Sequence, residues 1–319
     1  MILAIAEVTW ERDNVGGSKV VLGGSESGSV CAGTLRGQPV AIQSVEFRWG
    51  GEEEWMAMTR MRYNMSCSRV VAVHGVIVGR ADGDTGATHH LVMERMAGSL
   101  AQQMLWPGSP HAGAALGLRL QLLADVASGL AYLHAGGLIH ANVKPESVLL
   151  TAVTRQSPYP VAKLTNFGSS VARDADADVR TGARGTPMYM DPCLLDGVAT
   201  PASDVYSFGV MAWQVLTGSM PYEAEIMSAM PATATGGGRP PVAALVERGV
   251  PSDVVAVVEA CWARTQGDRP AMAEVARVLE AAAEVEGLGV VDGGDSDGRD
   301  DGAGAAPAAD DERAGEPGV

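Results

Sequence analysis

The 319 residues are 46% apolar and 19% charged, enough chain for one large domain or two lobes sharing a core, which excludes a mini-protein. Twenty-three basic residues stand against 38 acidic ones, a net charge of −15 without any lysine or arginine block, so nucleic acid is not an expected partner. No run reaches the roughly 18 consecutive apolar residues of a bilayer helix, and Glu7 interrupts MILAIAEVTWE before a signal segment forms, so a cytoplasmic chain with no membrane partner is expected.

Residues 1–18 read as a lead-in. From 19 to 96, five short β-type runs are broken by glycine: KVVLGG, SVCAGTLRG, PVAIQSV, RVVAVHGVIVG and HHLVMER. They predict a small antiparallel sheet. Between the third and fourth lies EEEWMAMTRMR, acidic in its first turn and basic in its last, the polarity that suits a helix dipole. One helix is expected to pack on that sheet. His89 and His90, with His74, lack metal-ligand spacing and read as exposed on a sheet edge.

After residue 96 the pattern turns helical. Leu116, Leu120, Leu123, Ala127 and Leu130 recur at helical spacing, and three later apolar segments, SDVYSFGVMAWQVLTG, PSDVVAVVEACW and AMAEVARVLEAAAEV, are set apart by Pro/Gly-rich turns. The chain is therefore read as α+β, a sheet lobe over 19–96 and a larger, mainly helical lobe over 97–286. Residues 287–319 form an acidic Gly/Asp/Ala-rich tail. Within it, 292–319 carry nine acids against two arginines and no aromatic residue, so disorder is expected. Four scattered cysteines, Cys31, Cys67, Cys193 and Cys261, have no CxxC spacing and read as reduced thiols.

Eight segments fall in one order: GGSESGSV (23–30), PVAIQSV (39–45), LIHANVKPESVLL (138–150), KLTNFGSS (163–170), GTPMYMDPC (185–193), SDVYSFGV (203–210), LTGSMPY (216–222) and CWARTQGDRP (261–270). In sequence and spacing they resemble the protein kinases over roughly residues 20–285. RGQPVAIQ, YMDP and CW…RP look most like the tyrosine-kinase-like branch of the Ser/Thr kinases. The resemblance implies a bilobal kinase fold and a nucleotide site between the lobes.

It also implies roles that several of these residues are chemically unable to fill. The family's strand lysine, which holds the α- and β-phosphates, is Gln43 here, and its helix glutamate corresponds to Glu54, which a Gln43 amide can still reach by hydrogen bond. The catalytic loop His140-Ala141-Asn142-Val143-Lys144-Pro145-Glu146-Ser147 replaces the family's HRDxKxxN. Asn142 has the shape of the catalytic aspartate but, as an amide, accepts no proton. Lys144 matches the family and can neutralise a γ-phosphate. Ser147 and Asn166 occupy the two metal-ligand positions as neutral groups, whereas hard cations favour charged oxygen. In the glycine loop Gly23 and Gly28 remain, but the middle glycine is Ser25 and Glu26 repels phosphate at the tip.

By the same resemblance Val30, Ala41, Met93 and Leu149 line an adenine slot, and the backbone of Glu94 and Met96 meets the base edge. ATP is expected to bind weakly and without metal dependence, or not at all, and Mg²⁺ is not expected to bind. Among framework residues, Cys193 stands where the family has the glutamate that pairs with the arginine at Arg269, so Arg269 is either unpaired or finds another acceptor. Ser169, Ser170, Thr181 and Thr186 are candidate phosphosites, but Ala141 removes the arginine that would grip the phosphate.

Removing one preorganised electrostatic group typically costs about 10²–10³ in rate. A kinase starting near 1–100 s⁻¹ that loses about two such groups falls to roughly 10⁻² s⁻¹ or below. The leading expectation is a pseudokinase, a scaffold for a protein partner, either an active kinase or its substrate. The alternative is a Ser/Thr protein kinase of low activity, rescued by Lys144 with a displaced acid such as Glu146 or Asp174. A third reading is a fragment of a longer chain, because the match begins almost at residue 1.

Overall fold

The computed structural model describes residues 2–4, 7–13, 17–25, 28–47, 52–79, 87–172, 179–180, 185–195, 197–222 and 238–288. The expected tail disorder beyond 288, the loop tip at Glu26, the side chain of Glu54, Asp174 and Thr181 all lie outside these residues. Residues 1–289 form one compact unit.

The N-terminal part is an antiparallel sheet of β1 (Val8–Trp10), β2 (Val21–Ser25), β3 (Gly28–Leu35), β4 (Gln38–Phe47), β5 (Val73–Ile77) and β6 (Ala87–Glu94). Its order is β1-β3-β4-β6-β5, with β2 also on β3. The five runs read from the sequence are all strands. Alternation divides β4 between two faces. Val40 and Ile42 turn to a core with Val8, Ile77 and Val92, which Leu3, Trp10 and Leu35 cover. Ala41 is paired with Met93, which belongs to the second core with Val71, Val73, Val76 and Leu91. Helix α1 (Glu52–Tyr63) covers that second core through Trp55 and Met56.

Two expectations change here. The lead-in contributes strand β1, registered from Val8 on Leu35 to Trp10 on Gly33, because a sheet apolar on both faces needs a cover on each. The histidines are not at an edge: β6 lies between β4 and β5, His89 is 1% exposed against Trp55, and His90 meets Trp10 on the opposite face.

The second lobe is built on α2 (Leu116–Ala135), where Leu120, Leu123, Ala127 and Leu130 are fully buried as their spacing predicts. By length and composition alone α2 could cross a membrane, yet 67% of that stretch is buried inside the protein. Short strands follow: β7 (Gly98–Ser99) pairs with β9 (Val148–Leu150), which pairs with β10 (Ala162–Leu164), while β8 (Leu138–Ile139) pairs with β11 (Val171–Ala172). Strand β12 (Val179–Arg180) pairs with β13 (Val198–Ala199), which follows the single turn α3 (Pro192–Leu195). Helices α4 (Pro201–Thr217), α5 (Ala243–Glu247), α6 (Ser252–Cys261) and α7 (Met272–Glu286) complete the lobe.

Helix α4 is buried on every side from Ser203 to Thr217, so its ends must be specified locally. Thr200 caps it through a reciprocal pair of bonds with Ser203, Pro201 opens the first turn, and Gly218 closes it in a left-handed conformation. That cap fixes Asp204 in the first turn, beneath the loop that follows β8. The lobes are pinned by Arg69, whose Nε lies 2.7 Å from Asp125 Oδ1 of α2 and whose carbonyl accepts the Leu164 N–H.

Candidate nucleotide and phosphoryl-transfer site

The cleft is assembled from β3, β4, β6 and the turns after β8 and β10. Met93, Met96 and Leu149 join one apolar cluster, Ala41 pairs with Met93 across the strands, and Val30 pairs with Gln43. Met93 and Leu149 thus share one cluster, with Ala41 beside Met93, while Val30 lies one strand further on, opposite Gln43. The N–H of Glu94 goes to Ala72 O, while its carboxylate takes the Ala72 N–H at 2.7 Å and the Lys163 ammonium at 2.8 and 2.9 Å. Lys163 was given no role in the sequence reading. Its position three residues before Asn166 is the only signal that it bridges β10 to the end of β6.

Gly28 is required in the glycine loop. With φ at 142°, a Cβ there would lie 1.9 Å from the Ser44 carbonyl oxygen. Gly23 meets nothing within 4 Å and carries no such demand.

The loop after β8 is held by α4. Asp204 Oδ2 accepts the His140 N–H and Oδ1 accepts the Ala141 N–H, each at 2.8 Å, with Ala141 at a left-handed φ of 60°. His140 is fully buried, its Nε2 donating to Thr165 O at 2.8 Å and its Nδ1 accepting from Asn142 N at 3.3 Å. Burial pushes its pKa below the ordinary histidine value, which suits a ring with one donor and one acceptor. The ring meets Phe167 at 5.1 Å.

Beyond it, Lys144 Nζ donates to Thr186 Oγ1 at 2.6 Å, and that hydroxyl donates to Asn142 Oδ1 at 3.3 Å. Asn142 and Lys144 therefore come together as the sequence places them. Gly185, beside Thr186, has φ 109° and no room for a Cβ, which would fall 2.8 Å from Ala141 O.

Ser147 is wholly buried and its Oγ has no partner among the described residues; Asn166 adopts a left-handed φ of 61°. Tested against Mg²⁺, this donor set does not fit. It offers neutral oxygens from Ser147 and Asn166, and no cluster of three His, Cys, Asp or Glu side chains occurs among the described residues. The side chains at Ala41, Met93 and Leu149 are apolar, and the strand position of the family's cation holds Gln43.

A cation the sequence reading missed lies deeper. Arg62 of α1 is 7% exposed, its guanidinium carbon 4.3 Å from the Phe167 ring centroid and one nitrogen 3.7 Å from Met93 Sδ. Its Nε has no partner among the described residues, and burial brings its pKa down to about 10. No pattern marked it: a basic last turn reads as solvated helix end.

The large lobe decides between the two readings of its brace, in favour of another acceptor. Arg269 is not unpaired: it forms a two-pronged bond with Asp191, NH1 to Oδ2 at 2.8 Å and NH2 to Oδ1 at 3.1 Å. Two further donors go to Ala263 O and Ala202 O. The acceptor has moved two residues toward the N-terminus, from the position of Cys193 to that of Asp191.

Both lobes, the cleft between them and this brace agree with the pattern described as protein tyrosine and serine/threonine kinase, which matches residues 18–279. The chain belongs to that kinase family. Among curated relatives, the kinase domain is 32% identical over 253 residues to serine/threonine-protein kinase PknL of Mycobacterium tuberculosis, covering 77% of this chain and 60% of PknL. It is 28% identical over 281 residues to the proto-oncogene serine/threonine-protein kinase mos of Mus musculus, covering 82% of this chain and 78% of that protein. The chain thus spans about 60% of the length of the PknL sequences it matches.

Proposed function

We propose that this kinase domain is catalytically degenerate and works as a binding or scaffold module, offering its two lobes and the segment 166–193 to a protein partner, an active kinase or its substrate. The observation that carries the reading is chemical. Gln43, Asn142 and Asn166 stand where phosphoryl transfer needs a fixed cation, a proton acceptor and a charged metal ligand. Any nucleotide held between Val30 and Leu149 binds weakly and without help from Mg²⁺. Segments RGQPVAIQ, YMDP and CW…RP favour the tyrosine-kinase-like branch. In a thermal-shift titration, ATP is expected to give a small response unchanged by Mg²⁺; a severalfold larger response with Mg²⁺ rejects the reading.

One observation favours a second reading, a low-activity Ser/Thr protein kinase. The Lys144–Thr186–Asn142 chain and the left-handed backbone at Ala141 and Asn166 keep the loop ordered around the point of transfer. In that case slow transfer to a protein hydroxyl is abolished by Lys144→Ala.

A further inference from the structure

Ser44 and His90 stand directly opposite each other on strands β4 and β6, and Ser44 Oγ lies 3.0 Å from His90 Nδ1. Alternation along β4 puts Ser44 on the face of Val40 and Ile42, whereas Ala41 and Gln43 belong to the other face, so the pair is separate from the nucleotide cleft. Both side chains are part-buried and remain within reach of solvent. A hydroxyl within hydrogen-bond distance of an imidazole nitrogen, with the ring oriented in turn by a third group, is the arrangement of an activated nucleophile.

The third group is Trp10. Its indole meets the His90 ring edge-on, with centroids 5.4 Å apart and the planes at 79°, and Lys19 Nζ lies 4.6 Å from the centroid of the Trp10 ring. Burial lowers the His90 pKa, and the charges of Lys19 and His89 act in the same direction, so at neutral pH the ring is an unprotonated base. The serine is held as firmly. Strand β4 is registered on β6 from Val40 to Phe47, and on the other side the chain at Gly28 packs so closely on the Ser44 carbonyl that a Cβ has no room there. Nucleophile and base are thus carried on rigid, paired strands, which keeps their separation fixed.

We propose that Ser44 is a nucleophile with His90 as its general base, and that it accepts an acyl group from an activated ester. In that step the bond from Ser44 Oγ to the carbonyl carbon forms and the bond from that carbon to the leaving oxygen breaks, its electron pair departing with the alcohol or phenol oxygen. The Oγ proton passes to His90 Nδ1 and from there to the leaving group or solvent. The step requires that the hydroxyl donates to Nδ1, so that the neutral ring carries its hydrogen on Nε2. It does not depend on whether the kinase domain transfers phosphate.

The test treats the full chain with p-nitrophenyl acetate and maps the acetyl groups by mass after an acid quench. Ser44 is expected to be acetylated faster than every other serine, and Ser44→Ala to remove that adduct. His90→Asn keeps an amide near the place of Nδ1 but is no base, and is expected to slow acetylation of Ser44 at least about 100-fold. A second readout on the unsubstituted protein is independent of how the variants fold: the ring nitrogen chemical shifts of His90 are expected to show Nδ1 bare and Nε2 carrying the hydrogen at neutral pH. Acetylation of Ser44 no faster than in the urea-unfolded chain, a rate in His90→Asn within about tenfold of the unsubstituted protein, or a hydrogen on Nδ1 overturns the proposal.

Discussion

Arg269 and Asp191 form a two-pronged ion pair with side chains 1% and 0% exposed, and Gln266 Nε2 adds a bond to the same carboxylate at 2.9 Å. The pair ties the loop before α7 to the end of the segment leading into α3. It restores, from a different residue, the brace that Cys193 is unable to supply.

Removing one partner leaves a buried, unpaired charge. Asp191→Ala is expected to cost about 3–5 kcal/mol, and Cys193→Ala less than about 1 kcal/mol. Adding Cys193→Glu to Asp191→Ala should recover most of the loss, since an acid returns within reach of Arg269. Urea midpoints of the three variants check this; a loss under 1 kcal/mol for Asp191→Ala contradicts it.

Among the described residues, Arg62 has only a thioether and an aromatic face to offset its desolvation. Replacing it by Met, similar in length and apolar, is expected to stabilise the protein by about 1–3 kcal/mol. Denaturant unfolding decides the sign, and destabilisation would mean that the contact with Phe167 outweighs the burial.

Acid sensitivity follows from the histidines. His140, His90 and His111 all have their pKa lowered, in each case chiefly by burial. A base with a depressed folded pKa binds its proton more readily when unfolded. Its stabilising contribution is therefore complete above the unfolded value near 6.5 and is lost as pH falls below it. Asp125 runs the other way, its pKa raised chiefly by burial, so its contribution declines as pH rises through the folded value. For the fully buried His140, stability should fall between pH 7 and 5 by up to about 1.4 kcal/mol per pH unit, while the more exposed His90 and His111 act in the same direction but are screened by solvent. His140→Asn should flatten that slope by about one proton, and an unchanged slope would contradict the assignment.

The glycine loop separates backbone need from phosphate chemistry. Gly28→Ala should destabilise by about 2–4 kcal/mol, because its Cβ has to displace the Ser44 carbonyl, while Gly23→Ala should stay within about 0.5 kcal/mol. Equal losses at the two positions, by thermal unfolding, would contradict this.

The elements most legible in sequence are those whose periodicity is forced by burial on known faces. Val40 and Ile42 alternate with Ala41 and Gln43, and Leu120 to Leu130 recur at helical spacing, so β4 and α2 were readable. Three features were not. Strand β1 is only three residues long, and its reason is the apolar sheet face it covers, which exists only in three dimensions. His89 looked like an edge residue because local sequence says nothing of strand order. Asp191 and Arg62 owe their roles to partners 78 and more than 100 residues away, a separation no spacing rule spans.

The central claim is electrostatic: neutral groups at 43, 142 and 166 leave a kinase fold without the ions of transfer. It is tested most directly by single-turnover transfer from γ-labelled ATP to a protein substrate, with Mg²⁺ or Mn²⁺, using the purified chain and its Lys144→Ala variant. The account predicts no metal-dependent label above about 10⁻² s⁻¹ in either protein. Fast, metal-dependent labelling that disappears in Lys144→Ala would contradict it.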